Sequence, residues 1–225
     1  MKETIISSFD EFHSEIQNYD PKYAVFRGLK NENFQLVPSI GRLNIKSNDT
    51  LQKAEKRVFN IFKERSIPFL SFSPRNDWEW LALAQHHGLP TRLLDWSRNP
   101  LTALYFAIEE ECESNAVIYV LNDRKKAVDT EKFSNPLALS VEEPVRKYIP
   151  AHLTERIIAQ NGLFTVHPDP STPFLDSHID KIIISRSICK ELKAQLYRYG
   201  THRASIYPGL DGLSNHIKWM NSTDY

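Results

Sequence analysis

The stretch Gln85-His86-His87-Gly88-Leu89-Pro90-Thr91-Arg92-Leu93-Leu94-Asp95-Trp96-Ser97-Arg98-Asn99-Pro100 gathers two histidines, two arginines, an aspartate, a serine and a threonine between two apolar helical patterns. Gly88 and Pro90 alone would make a turn, so the surplus polar groups are what a binding or catalytic loop carries on a rigid scaffold. An arginine there suits a phosphate or carboxylate held bidentately, and His86 with Asp95 suits proton transfer. Adjacent helical histidines point about 100° apart, and no His-x-x-x-His spacing occurs, so no metal site is expected. Arg27 is a second candidate. It ends the apolar run Tyr23-Ala24-Val25-Phe26, with Gly28 next to it to let the chain turn or a ligand come close.

These residues have ordinary roles open to them as well. A histidine near a helix C-terminus favours the negative dipole end, Arg27 can pair with a surface carboxylate, and Asp95 can pair with Arg92 or Arg98. Leu93, Leu94 and Trp96 suit a core, and Asn99 suits a helix cap.

The elements that must position the site follow from hydrophobic spacing. Helices are expected over 8–19, with Phe9, Phe12 and Ile16 on one side, and over 51–65, with Leu51, Ala54, Val58, Ile61 and Phe62 as its stripe. Another begins at Asn76 or Asp77, is apolar nearly all round and closes at Gly88. Asn99-Pro100 starts the next, striped by Leu101, Leu104, Tyr105 and Ile108 with Ala103 and Ala107 small enough for close packing. Its Glu109-Glu110-Glu111 end opposes the helix dipole and is expected to be frayed or solvated. Ala116–Leu121 and Lys181–Ser185 read as strands, as does Ala204–Tyr207. Residues 156–164 read as helix end, turn and strand start. Ile188, Leu192 and Leu196 stripe a helix closed by Gly200, and Leu210, Leu213 and Ile217 stripe a last one capped by Asp211. Residues 122–150 read mostly as loop, the place for a mobile flap. This order predicts an α+β chain with a mixed sheet of short strands flanked by helices, one domain over 1–225 with its motifs within 23–213.

Composition narrows the partners. Apolar residues make up 41% of the chain, a globular mixture. Lys plus Arg equals Asp plus Glu at 28 each, so there is no bulk electrostatic case for nucleic acid or an anionic membrane. The N-terminus is unlike a signal peptide, and no apolar run approaches the roughly 20 residues of a membrane span. A cytoplasmic protein is expected, with Cys112 and Cys189 as reduced thiols.

Four separated pieces resemble the FRG domain family, named for its Phe/Tyr-Arg-Gly motif. They are Phe26-Arg27-Gly28; the block from Ala84 through Ser97 that continues Asn99-Pro100-Leu101-Thr102-Ala103-Leu104-Tyr105-Phe106-Ala107; Arg156 with Gln160, Gly162 and Phe164; and Tyr207-Pro208-Gly209-Leu210-Asp211-Gly212-Leu213. Gly209 stands where the family more often has an acidic residue, so no chemistry is expected there. Members often resemble parts of bacterial toxin and phage-defence systems, which leaves room for an antitoxin or another partner protein. The aromatic-Arg-Gly strand is also similar to the opening motif of ADP-ribosyltransferases. That similarity implies an ADP-ribosyltransferase-like fold with NAD as substrate and the arginine on its phosphates. Leu94-Asp95-Trp96-Ser97 followed by the spaced alanines matches the next unit of that fold.

On this reading Arg27, Gly28, Gln85, Thr91, Arg92, Trp96, Ser97, Tyr105 and Gln160 bind the nucleotide. Trp96 or Tyr105 would stack on the nicotinamide. No late Glu-x-Glu or Gln-x-Glu pair is present, so Asp95 and Asp211 are the carboxylates considered for the charge that develops as nicotinamide leaves, with His86 as a further catalytic candidate. Two other readings stay open: a module that recognises a nucleotide or a partner without turnover, and a hydrolase or nuclease that uses His86 and Asp95.

Overall fold

A computed structural model describes residues 1–46, 48–151 and 155–222; the expected single domain over 1–225 therefore includes a few positions outside the described residues. Along the chain the elements are β1 (Glu3–Ile6), α1 (Phe9–Ile16), β2 (Ala24–Leu29), α2 (Leu51–Ser66), α3 (Asp77–His86), β3 (Leu93–Ser97), α4 (Pro100–Ile108), β4 (Ala116–Asn122), β5 (Arg146–Tyr148), α5 (Glu155–Ala159), β6 (Gly162–Val166), β7 (Ile179–Ile184), α6 (Cys189–Arg198), α7 (Arg203–Ile206) and α8 (Leu210–Met220). The strands make one mixed sheet in the order β1-β7-β4-β2-β3-β6-β5, with β1 parallel to β7 and the other neighbours antiparallel. The chain is α+β, as its pattern predicts.

Local chemistry starts the helices where expected. Ser8, Thr50, Asn76 and Asn99 each accept a backbone N–H of the first turn, at Glu11, Lys53, Glu79 and Leu101, satisfying donors that a helix start leaves open. Gly88 follows α3 at φ +82°, a conformation that favours glycine.

The sheet is joined unevenly. β2 pairs with β4 along all of Ala24–Leu29, and β3 pairs with β6 along Leu93–Ser97. Between β2 and β3 the register holds only at Phe26 opposite Ser97. Beyond that point the two strands part.

One face of the sheet is covered by α1, α4 and α6, where Phe12, Leu104, Ile108, Leu192 and Leu196 meet Phe26, Ile118, Val120 and Ile182. Gly28 explains how close α4 comes: a Cβ there would lie 1.9 Å from the Ala103 carbonyl oxygen and 2.7 Å from the Ala107 nitrogen. The opposite face holds Val25, Leu94, Trp96, Tyr119 and Leu163. A third cluster joins Trp78, Leu81 and Phe59 to Leu93, Tyr148, Phe164 and Val166. Area removed from water at these three places drives the fold, at roughly 25 cal/mol per Å² of apolar surface.

Several expectations are corrected. Arg27 and Gly28 lie inside β2 rather than at its end, because β4 offers a partner along the whole strand. The stripe of α2 is turned: Ala54, Glu55 and Phe59 are buried, while Ile61 is exposed, since Glu55 points inward to an arginine. Ala204–Tyr207 is not a strand. Instead His202 and Ser205 cap each other in a reciprocal box, and Arg203–Ile206 forms the short helix α7. Helix α8 is capped at Gly209, and it buries Gly212 and His216 while Leu210, Leu213 and Ile217 stay exposed. A Cβ on Gly212 would meet the Tyr207 carbonyl oxygen at 1.7 Å, so the small residue sets the docking face. Cys112 and Cys189 are joined as a disulfide rather than free. Strands β1 and β5 have too little pattern in sequence to be expected. Among the described residues no helix is long and apolar enough to cross a membrane.

Candidate functional site

Where β2 and β3 part, a cleft of about 670 Å³ opens. Its walls are β2 from Phe26 with Lys30 just after it, the end of α3 at Gln85 and His86 with His87 and Gly88 after it, β3 from Asp95 to Ser97, Phe106 of α4 with Glu109 and Glu110 just beyond it, and the α5–β6 segment with Arg156, Gln160 and Phe164. Arg27 crosses the gap. Its Nη1 donates to the Asp95 carbonyl at 2.7 Å and stands 3.4 Å from Asp95 Oδ2, while its buried Nε has no hydrogen-bond partner among the described residues. Burial lowers the Arg27 pKa and Asp95 opposes that fall; a guanidinium stays charged regardless. A desolvated cation with donor capacity left over is the arrangement that an anion completes.

Asp95 is held by a relay that begins in the core. Buried Thr91 accepts the Leu93 N–H and donates to Gln85 Oε1 at 2.5 Å. This leaves the Gln85 amide nitrogen to donate to Asp95 Oδ2 at 2.7 Å. Asp95 is thereby fixed at the rim, its side chain 56% exposed. Ser97 is a fastener: its hydroxyl donates to the Gln160 carbonyl at 2.6 Å and accepts the Asn99 N–H at 2.9 Å. Gln160 Nε2 donates to the Ile206 carbonyl at 3.2 Å and so ties this wall to α7.

His86 borders the cleft with a pKa lowered to about 4, by burial first and then by the neighbouring His87 and Arg156 charges. Its imidazole is neutral at pH 7 and a poor base for proton transfer there. Among the described residues no group of three His, Cys, Asp or Glu side chains is placed to hold a metal ion.

The structure thus gathers Arg27, Gly28, Gln85, His86, Asp95, Trp96, Ser97 and Gln160 around one cleft and sets Thr91, Arg92, Tyr105 and Asp211 elsewhere. Gly28 borders the cleft, but its missing side chain serves the approach of α4 rather than of a ligand. Thr91 lies behind Gln85. Arg92 is buried away from the cleft in a two-bond pair with Glu55, Nε to Oε1 at 2.9 Å and Nη2 to Oε2 at 2.6 Å. Trp96 is 3% exposed and donates from Nε1 to Thr165 Oγ1, so its indole is core rather than a stacking platform. Tyr105 is buried on the α4 face and borders a second hollow, between α4 and the α6–α8 segment. Asp211 sits exposed in the first turn of α8, outside both linings.

Sequence reasoning missed Glu109. It is not solvated: Arg203 Nη1 donates to Oε1 at 2.6 Å and Tyr207 Oη to Oε2 at 2.9 Å, while Lys193 Nζ donates to its carbonyl at 2.8 Å. Its side chain is 17% exposed and borders both hollows. The signal was the acidic run at a helix C-terminus, which the dipole disfavours unless cations approach from elsewhere. Lys30 pairs with Glu110 at 2.6 Å on the same rim. Arg156 stands 4.5 Å over the Tyr207 ring, within reach of a cation–π contact.

Comparison with curated proteins and with solved structures returned no match. The FRG domain family model does match, over residues 22–116. The matched segment runs from β2 to the first residue of β4, so it holds Arg27, Gln85, Asp95 and Glu109 and leaves Arg156, Gln160, Arg203 and Tyr207 outside. The arginine-bearing strand, the Asp95 relay and the close α4 packing all lie inside the segment, residues 22–116, that matches the FRG domain family.

Proposed function

We propose that the cleft binds NAD, with Arg27 on its diphosphate, and that the protein transfers or hydrolyses the ADP-ribosyl group as an ADP-ribosyltransferase-like enzyme, in the setting of a bacterial toxin or phage-defence effector. The observation that carries the reading is Arg27 itself. It lies in a gap between two strands, is desolvated, and keeps a buried donor with no partner among the described residues. A diphosphate supplies the acceptors that this guanidinium lacks. The cleft is large enough for a substantial part of a dinucleotide, and the partly exposed Leu29 and Phe106 give it apolar surface beside the polar rim.

Asp95 and Gln85 orient Arg27 on this account. The neutral His86 is a hydrogen-bonding group for the ligand rather than the proton-transfer base of a hydrolase. Incubation of the purified chain with labelled NAD and separate pools of protein, RNA and DNA tests the proposal, with Arg27→Ala as control. Release of nicotinamide, or label carried to one pool and lost in the variant, is the expected result. Saturable binding without turnover would instead make this a recognition module. No binding at all would discard the NAD reading.

A further inference from the structure

We infer that Glu109 is the catalytic carboxylate of this cleft and that Asp95 is not; the inference rests on the NAD reading above. Three observations separate the two acids. Asp95 stands beside Arg27, with Oδ2 receiving Gln85 at 2.7 Å and lying 3.4 Å from the guanidinium. A diphosphate on Arg27 would therefore lie against Asp95, and the ribosyl carbon whose bond breaks is a ribose away from that phosphate. Glu109 comes from a different wall, at the end of α4. It is also the better held of the two: Arg203 and Tyr207 take one oxygen each, and Lys193 takes its carbonyl. Finally, Tyr207, which donates to Glu109 Oε2, ties this carboxylate to the α5–β6 wall, because Arg156 lies 4.5 Å over its ring, and Arg203 lies 5.0 Å from the same ring. A carboxylate fixed in this way needs little reorganisation when positive charge develops in front of it.

The step balances without a further reactant beyond the acceptor. The bond from the ribose C1′ to the nicotinamide nitrogen breaks, and its electron pair leaves on that nitrogen, which becomes neutral. The positive charge left on C1′ and the ring oxygen faces the Glu109 carboxylate. The oxygen of water or of an acceptor hydroxyl then bonds to C1′, and its proton passes by way of Glu109 to solvent.

The test is Glu109→Gln against Asp95→Asn, each measured for nicotinamide release, NAD affinity and thermal melting. E109Q keeps the size of the side chain and an acceptor for Tyr207. Its expected turnover falls about 100-fold or more, the usual loss when an acid–base carboxylate is removed, with NAD affinity within about threefold of wild type and a cooperative melt retained. D95N is expected to change affinity more than turnover. E109Q turnover within about threefold of wild type overturns the inference and leaves the NAD reading standing, as does an E109Q that loses NAD binding while still folded. An E109Q that fails to fold is decided by Glu109→Asp, which keeps the charge but withdraws it by one methylene: turnover unchanged by that retreat also overturns it. A wild-type chain that binds no NAD, or binds it without releasing nicotinamide, removes the reading and this inference together.

Discussion

Arg27 and Arg92 both reach the sheet region from the segment that matches the FRG family, and the structure uses them in opposite ways. Arg92 is 4% exposed and faces a Glu55 that is 2% exposed, in a two-bond geometry that satisfies the charge of both. Its third nitrogen, Nη1, is buried and has no hydrogen-bond partner among the described residues, but Arg92 does not line the cleft, so no ligand held there can reach it. Arg27 has one carbonyl, a longer approach to an exposed carboxylate and an unpartnered Nε. The difference teaches that an arginine's role here is decided by what faces it. Glu55 rides on α2 and turns into the core, whereas Asp95 sits on a strand that has parted from β2.

The largest effect that would break the comparison is on the Arg92 side. Arg92→Ala leaves Glu55 charged, buried and alone, which costs about 3–5 kcal/mol. Urea denaturation should show it, and a loss below about 1 kcal/mol would mean that the pair is not structural. Next comes Gly28→Ala, whose methyl group meets the Ala103 backbone. Overpacking of this kind costs about 1–3 kcal/mol, again read from denaturation, and an unchanged midpoint would mean that α4 stands further off β2.

His167 sharpens the comparison, because both arginines act on it. It is 1% exposed, and its pKa is lowered to about 3 by burial and then by the Arg27 and Arg92 charges. Its Nε2 lies 2.8 Å from Thr165 Oγ1. That hydroxyl also accepts from Trp96, and its one proton is free to serve a neutral imidazole. The unfolded chain takes up a proton near pH 6.5 and the folded one does not until about 3. Stability is therefore full above about pH 6.5 and falls with acidity down to about pH 3, by about 2 kcal/mol from this group at pH 5. Denaturation midpoints of wild type and His167→Gln between pH 7 and pH 5 should converge; a constant gap would contradict the assignment. The smallest expected effect is Ser97→Ala. It removes two hydrogen bonds worth about 1 kcal/mol or a little more and leaves nicotinamide release within about threefold, whereas abolished turnover in a folded variant would make Ser97 a reacting group.

Much of this scaffold is legible because local signals agree. Asn76 and Asn99 cap α3 and α4, and the alanines at 103 and 107 foretell a close contact, although not that Gly28 is what they press on. The face assignments were not legible. A buried Glu55 looks like any helix-surface glutamate until Arg92 is known to face it. The leucines of α8 look like core until Gly212 and His216 are seen to dock instead. Of the residues singled out in the sequence, Arg27, Gln85, His86, Asp95, Ser97 and Gln160 line one cleft. Glu109 was hidden because the groups that hold it, Lys193, Arg203 and Tyr207, arrive from more than 80 residues further along the chain.

The most direct test of the central claim is an NAD titration of the wild-type chain and Arg27→Ala by calorimetry, with melting curves for both. The account predicts saturable binding by the wild type and an affinity lower by about 100-fold or more in the variant, as expected for losing charge-assisted hydrogen bonds to a diphosphate, with the fold retained. Equal NAD affinity in the two proteins, or an Arg27→Ala chain that no longer folds, would contradict it and make Arg27 a structural residue like Arg92.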